Sequence, residues 1–373
     1  MKLLYITYID TTAPISSGSS VRAIKMLEAF RSLGVDVMLL EGWNRRDQRR
    51  ERTKAVLQMM ERLRRERPDA CYVELPAGPL FFDADRKLLE YLHASDIPIA
   101  YFYGDAYWRF PQFRGADTRR SVTELVRDGL IYWAQRSCLK LYQRTASLIY
   151  YPSAAMTEHF DFFEKRVSHP GCELLPDLPE GQSVSDDDVP TGIYVGGVTY
   201  RYGASLLLEA FRLVNTEVIK ARLLVVCDPL SWQSLPDELR ELEQSGWLEH
   251  HTAFGDDQLR PLYERAQFAC LPLRPNIYND FAMSIKLFEY LTYGKPIVST
   301  NCQQMAAFVE QNGVGLVAVD EATEYAEAIR RMIEDKQLYS ACQKAIVRTR
   351  INNTWVARAQ AVLDDLYHTL DGK

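Results

Sequence analysis

The chain has 373 residues, 47% hydrophobic and 25% charged, with 19 Gly and 17 Pro, an ordinary globular composition long enough for two domains. It is neither disordered, collagenous nor a small disulfide-stapled fold. The formal net charge is −6, yet residues 1–180 hold 26 Lys and Arg against 24 Asp and Glu, leaving 18 against 26 for the remainder.

In chain order, the apolar run Leu3 to Thr7 reads as a first strand, Val21 to Leu33 as a helix and Val35 to Leu40 as a second strand, a compact βαβ unit. Ala70 to Leu75, Ile97 to Tyr103 and Ser147 to Tyr151 continue the series. The stretch Leu178 to Thr191 is rich in Pro, Ser and Asp and reads as a linker. Beyond it come strands at Gly192 to Gly196, Arg222 to Cys227, Phe268 to Leu273 and Ile297 to Thr300. Helices at Ser205 to Val214, Leu259 to Arg265 and Ser284 to Tyr293 alternate with them, and Ala322 to Leu370 is helical in pattern. Short apolar strands alternating with helices predict an α/β fold: two doubly wound, Rossmann-like domains facing a central cleft, with the ligand site at the carboxyl ends of the strands. The expected division is 1–180, 181–350, and a C-terminal helix over 351–373 that could pack back on the first domain.

Seven cysteines at irregular spacing form no CxxC pair, and an odd number cannot all pair within the chain, so reduced thiols and a cytoplasmic setting are expected. The N-terminal run ends at Asp10 without a small-residue cleavage site and reads as a strand, not a leader. No run of about 18 apolar residues is present, so no membrane span is expected. Residues 45–67 carry ten Lys and Arg among Val56, Leu57, Met59, Met60 and Leu63. Such a stretch reads either as an amphipathic helix on an anionic membrane, at the inner face, or as a solvated arginine-rich helix over a core face. Nucleic acid is disfavoured by the negative total charge and the lack of a recognised module. His250 and His251 are adjacent and point apart on a strand, so no metal site is expected.

The most informative window is Ser284-Ile-Lys-Leu-Phe-Glu-Tyr-Leu-Thr-Tyr-Gly-Lys-Pro-Ile-Val-Ser-Thr300. Ser284 can cap a helix whose open N–H groups, with Lys286, suit a diphosphate, and Glu289 one turn on can accept from sugar or ribose hydroxyls. The plain alternative is a Lys286–Glu289 surface pair. Ile193-Tyr-Val-Gly-Gly-Val-Thr-Tyr-Arg-Tyr-Gly203 places Gly196, Gly197 and Arg201 after a strand, and Thr252-Ala-Phe254-Gly255 precedes a helix. In the first domain, Ser17-Gly18-Ser19-Ser20-Val21-Arg22 lies between strand and helix, where Gly18 permits close approach and Ser20 could cap; an ordinary βα turn reads the same way. Asp105, in Tyr101-Phe-Tyr-Gly-Asp-Ala-Tyr-Trp-Arg-Phe110, follows a strand, so it could act as a base while Tyr103, Tyr107 and Trp108 stack on a sugar. Equally, Asp105 could only cap a helix.

These segments together resemble the family 4 type of GT-B fold glycosyltransferases (glycosyl transferases group 1), and the resemblance covers nearly the whole second domain. It implies transfer of a sugar from a nucleotide-diphosphate donor, a UDP- or GDP-sugar, to a hydroxyl of a glycan or lipid-linked acceptor in polysaccharide or glycoconjugate biosynthesis. It further implies retention at the anomeric carbon, no metal and no permanently bound cofactor. Carried over, Glu289 holds the donor ribose, and Lys286 with Ser284 lies beside the donor phosphates. Gly18, Gly196, Gly197 and Phe254 line the nucleotide-sugar site, and Arg201 supplies phosphate charge. Catalysis falls to Asp105, Arg201 and Lys286, and the acceptor to Arg22, Tyr103, Asp105 and Trp108. Many members carry a second glutamate eight residues before the first; here that position is Phe281, preceded by Asp280. Charged family residues are also replaced at Gly197 and Tyr202, so a GT-B-like protein that binds a nucleotide sugar or a partner without catalysis is the alternative.

Overall fold

The computed structural model describes residues 1–13, 18–110, 121–175 and 189–371. They form two compact units, one of residues 1–169 with 355–373 and one of residues 170–354. The expected 180/181 boundary lies outside the described residues.

The first unit holds a parallel sheet of β1 (Lys2–Ile6), β2 (Asp36–Leu40), β3 (Ala70–Glu74), β4 (Ile99–Phe102), β5 (Leu148–Tyr151) and β6 (Lys165–Val167), in the order β2-β1-β3-β4-β5-β6. The second holds β7 (Thr191–Val195), β8 (Arg222–Val226), β9 (Leu248–His251), β10 (Phe268–Leu271), β11 (Ile297–Thr300) and β12 (Gly315–Ala318), in the order β12-β11-β10-β7-β8-β9. Every pairing in both sheets is parallel. The expected pair of doubly wound α/β units is therefore observed.

The central strands β3, β4, β5, β10 and β11 are buried at every position, as strands covered by helices on both faces must be. In the second unit the two faces carry separate cores. One is built on Leu207, Phe211, Leu223, Tyr325 and Ile329, the other on Ile193, Leu224, Leu287, Leu291 and Val309. In the first unit Tyr5, Met26, Phe30 and Tyr72 share a core with Ala359, Val362 and Leu366.

The helical stretch read over Ala322 to Leu370 is three helices, Ala322–Glu334, Lys336–Ile351 and Trp355–Asp371. Asp335 separates the first two because its carboxylate accepts from the Gln337 and Leu338 backbone N–H groups and starts a new helix. The last helix packs in the first unit against the helix Gly18–Ser32.

The basic stretch contains the helix Arg49–Leu63, but Val56, Met59 and Leu63 are buried under it. Arg52 is buried too, donating to Asp85 at 2.8 and 3.0 Å and to the Thr7 and Gly42 carbonyls. Its apolar stripe is thus spent on the core, and solvent meets chiefly charge. No helix among the described residues is long and apolar enough to cross a membrane.

Candidate functional site

The second unit brings Gly196, Gly197, Arg201 and Lys286 together after β7. Lys286 lies in the first turn of the helix Ile285–Thr292, whose buried face is Leu287, Phe288, Tyr290 and Leu291. Its amine donates to the Tyr194 hydroxyl at 3.1 Å, and that hydroxyl donates to the Gly197 carbonyl at 2.6 Å. The amine also lies 4.6 Å from the Tyr202 ring centre, and the Arg201 guanidinium lies 4.7 Å from the same ring. Two cations thus lie within 4.7 Å of the centre of one aromatic ring.

Gly196 explains how this fits. Its φ of +134° disfavours any other residue, and a β-carbon there would come within 2.2 Å of the Lys286 amine. The missing side chain is the space that the lysine tip occupies. Gly203, at φ +74°, ends the turn Tyr200–Tyr202 and starts the helix Ala204–Val214; a β-carbon there would sit 1.6 Å from the Pro272 carbonyl oxygen. The turn bearing Arg201 is therefore pressed on the segment after β10, where the Arg274 N–H donates to the Arg201 carbonyl at 3.2 Å.

Burial dominates the electrostatics. It pulls the Lys286 amine down to about 8, with Arg201 acting in the same direction and Glu289 opposing. It pushes the Glu289 carboxyl up to about 7, helped by Asp256 and opposed by Tyr263 and Lys286. Both side chains keep some solvent contact, but each is packed round closely enough to lose most of its hydration. The Tyr263 hydroxyl is buried near Glu289 with no hydrogen bond of standard geometry, while its ring stacks on Tyr293 at 4.0 Å. A carboxylate and a tyrosine hydroxyl held close together can grip vicinal hydroxyls, and a lysine and an arginine over one ring can balance an oxyanion.

Other expectations fare differently. Ser284 occupies the N-cap position, but its side chain makes no capping hydrogen bond, so the first amides of this helix are not answered by it. Phe281 is buried against Tyr278, and the Asp280 carboxylate accepts from the Gln303 N–H at 3.2 Å where the next helix begins. Neither offers a second glutamate's chemistry. Phe254 is half exposed in the loop before the helix Asp256–Arg265. No signal marked Arg274, which lies over the Tyr200 ring at 4.6 Å and pairs with Asp320 at 3.1 Å.

In the first unit, Gly18 opens the helix Gly18–Ser32, Ser20 lies inside it and does not cap it, and residues 14–17 lie outside the described residues. Arg22 is buried, with every N–H engaged: Glu74, the Ser168 and His169 carbonyls, the Ser168 hydroxyl and the Tyr72 hydroxyl. Its plane also lies 3.4 Å from the Phe102 ring centre. Tyr103 and Trp108 are buried, the indole N–H donating to the Tyr103 hydroxyl at 2.7 Å, so neither presents a stacking face. Asp105 is partly exposed after β4, one oxygen accepting from the Tyr107 N–H at 2.7 Å.

Two parallel, doubly wound units, with cations and an acid at the end of the second sheet, define a protein of the GT-B fold. Residues 189–335 match the family model of the glycosyl transferases group 1. The whole chain is similar in fold to sucrose-phosphate synthase from Thermosynechococcus elongatus, at TM-score 0.64 and 14% identity, covering 100% of both chains. It is likewise similar to HepE of Anabaena in complex with UDP, at TM-score 0.64 and 15% identity, covering 99% of this chain and 100% of the other. WaaG, a glycosyltransferase involved in lipopolysaccharide biosynthesis, matches at TM-score 0.64 and 13% identity over 98% and 99%. At such identities the likeness is one of fold. No curated protein sequence matches the chain significantly.

Proposed function

We propose that the protein transfers a sugar from a nucleotide-diphosphate donor to a hydroxyl of a glycan or lipid-linked acceptor, in polysaccharide or glycoconjugate assembly. The observation that carries this reading is the Lys286 amine, seated in the space left by Gly196 and sharing the Tyr202 ring with Arg201. As the bond from the sugar to the diphosphate breaks, negative charge grows on the leaving phosphate. A half-desolvated lysine and an adjacent arginine balance that charge more strongly in the transition state than in the ground state. Glu289 accepts from the ribose hydroxyls, with the Tyr263 hydroxyl beside it. Gly18, Gly196 and Gly197 allow close backbone approach, and the Phe254 loop receives the base.

Asp105 is the acceptor-side base, positioned by its bond to the Tyr107 N–H. Arg22, Tyr103 and Trp108 act on the acceptor side only by holding that region in shape. Charge balance by side chains makes the reaction metal-independent, so chelation of divalent cations leaves the rate unchanged. The match to the group 1 model supports retention at the anomeric carbon, read from the product by NMR.

The UDP held by the similar fold of HepE makes UDP-sugars the first donors to try, then GDP-sugars. Thermal shift against UDP, GDP, ADP, dTDP and CMP, each with its sugars, identifies the donor, because a ligand at 100 times its Kd stabilises by about 2.7 kcal/mol. A transfer assay with that donor then follows. One observation favours a second reading: the buried Phe281, where many relatives carry an acid. A protein that binds the donor without transferring it would give the shift and no product with any acceptor.

A further inference from the structure

The turn Tyr200–Tyr202 carries Arg201, yet none of its three residues is fully buried: Tyr202 leans on the cores of the second unit, and Tyr200 is 70% exposed. A three-residue turn with so little core beneath it owes its placement to contacts from outside. Its carboxyl end is fixed where Gly203 meets Pro272. Tyr200 and Arg201 are held by Arg274, whose backbone N–H donates to the Arg201 carbonyl at 3.2 Å and whose guanidinium lies 4.6 Å from the centre of the Tyr200 ring.

Arg274 is itself clamped. The Leu273 carbonyl before it accepts from the Thr300 hydroxyl and from the Cys302 thiol, the latter at 3.1 Å. Its own carbonyl accepts from the side-chain amides of Asn276 and Asn279 at 3.0 and 2.7 Å. Its guanidinium donates to Asp320, just past β12, at 3.1 Å. One arginine therefore ties the ends of β10 and β12 to the turn after β7. The ion pair is not the bidentate fork that a guanidinium and a carboxylate make when nothing else directs them, for the Arg274 Nε and the second Asp320 oxygen are both buried without a hydrogen bond. The guanidinium forgoes that fork and keeps its place over Tyr200. Asp320 also answers the Arg274 charge, so the pair has little net attraction for an anion of its own. Arg201 and Lys286 flank the Tyr202 ring, and a diphosphate that meets both needs them at a fixed separation, since prepositioned charge costs no reorganisation when the ligand arrives.

We propose that Arg274, oriented by Asp320, is a positioning residue for a nucleoside diphosphate: it holds the turn Tyr200–Tyr202 so that Arg201 stands beside Lys286. The inference rests on the transfer reading, which gives Arg201 and Lys286 to the donor phosphates, and adds a residue that acts through Arg201. The test is calorimetric titration of the full chain with UDP, GDP, ADP and dTDP. Arg274→Met weakens binding of the diphosphate that the parent takes by roughly tenfold, and Arg274→Lys, which can still pair with Asp320 and lie over Tyr200, recovers part of the loss. In an Arg201→Met background, Arg274→Met changes the affinity by less than about twofold, because the residue it positions is gone. A merely structural role gives the same loss in both backgrounds. Asp320→Ala weakens binding by roughly threefold, whereas an Arg274 that met the phosphates itself would hold them more tightly once the neighbouring acid was removed. This variant keeps the proposal open to refutation should Arg274→Met fail to fold by circular dichroism. Equal losses in the two backgrounds overturn the proposal, as does tighter binding by Asp320→Ala. A parent that binds none of the four diphosphates overturns the donor reading and this inference with it; a parent that binds one, with Arg274→Met binding it equally well, overturns this inference alone.

Discussion

Arg22 in the first unit and Lys286 in the second are both cations on a helix beside a parallel sheet, and they are treated in opposite ways. Arg22 spends every N–H on protein, with Glu74 as its counter-charge and Phe102 against its plane. Lys286 has one hydrogen bond, to a tyrosine hydroxyl, two aromatic faces, and a pKa drawn down to about 8. The first arrangement is complete within the protein; the second leaves a cation with a single hydrogen bond. A cation at a strand end is therefore no evidence of a binding site until its donors have been counted.

The largest effect expected from this contrast is on stability, in the first unit. Arg22→Met leaves the Glu74 carboxylate buried without its counter-charge and lowers unfolding stability by about 3–5 kcal/mol, measured by denaturant unfolding. Adding Glu74→Met recovers much of that loss. Next comes Lys286→Ala, which keeps the fold and lowers turnover by about 10²–10³-fold; an unchanged rate would remove Lys286 from the site.

The acid and the amine then set a pH window. Turnover is highest between about 7 and about 8, where Glu289 is ionised and Lys286 still protonated, and Glu289→Gln removes the acid limb of the profile. The folded Glu289 pKa lies above its ordinary value of 4.5, so its favourable contribution to folding is complete below that value and lost as pH rises through about 7. Glu289→Gln accordingly raises the unfolding temperature at pH 8 relative to the parent and not at pH 4. Asp105→Asn, which can still accept from the Tyr107 N–H, slows transfer to the acceptor more than it weakens donor binding; equal losses would make Asp105 structural. The smallest effect is Ser284→Ala. With no capping bond to lose it costs under about 0.5 kcal/mol, against the ~1 kcal/mol usual for a cap.

Buried parallel strands such as Ala70–Glu74 and Ile297–Thr300 announce themselves, because burial on both faces demands an unbroken apolar run. Edge strands do so less: Lys165–Val167 is short and polar and passed unread, and of Leu248–His251 only the two histidines read as strand. The long helix Val122–Thr145 escaped for a related reason. Apolar on two opposite sides, it carries no single stripe for periodicity to detect.

The sequence by itself determined the α/β class, the two-unit division and the window from Ser284 to Thr300, because these rest on local periodicity and spacing. Which polar residues are spent and which are held ready was decided only by tertiary structure. Arg22 and Lys286, Trp108 and Trp133 look alike as letters. Their difference lies in long-range partners: Glu74 and Ser168 for Arg22, the hollow at Gly196 for Lys286, the Tyr103 hydroxyl for Trp108, and open solvent for Trp133. Hydrogen-bond saturation and desolvation are sums over neighbours far apart in the chain, and no local pattern encodes them.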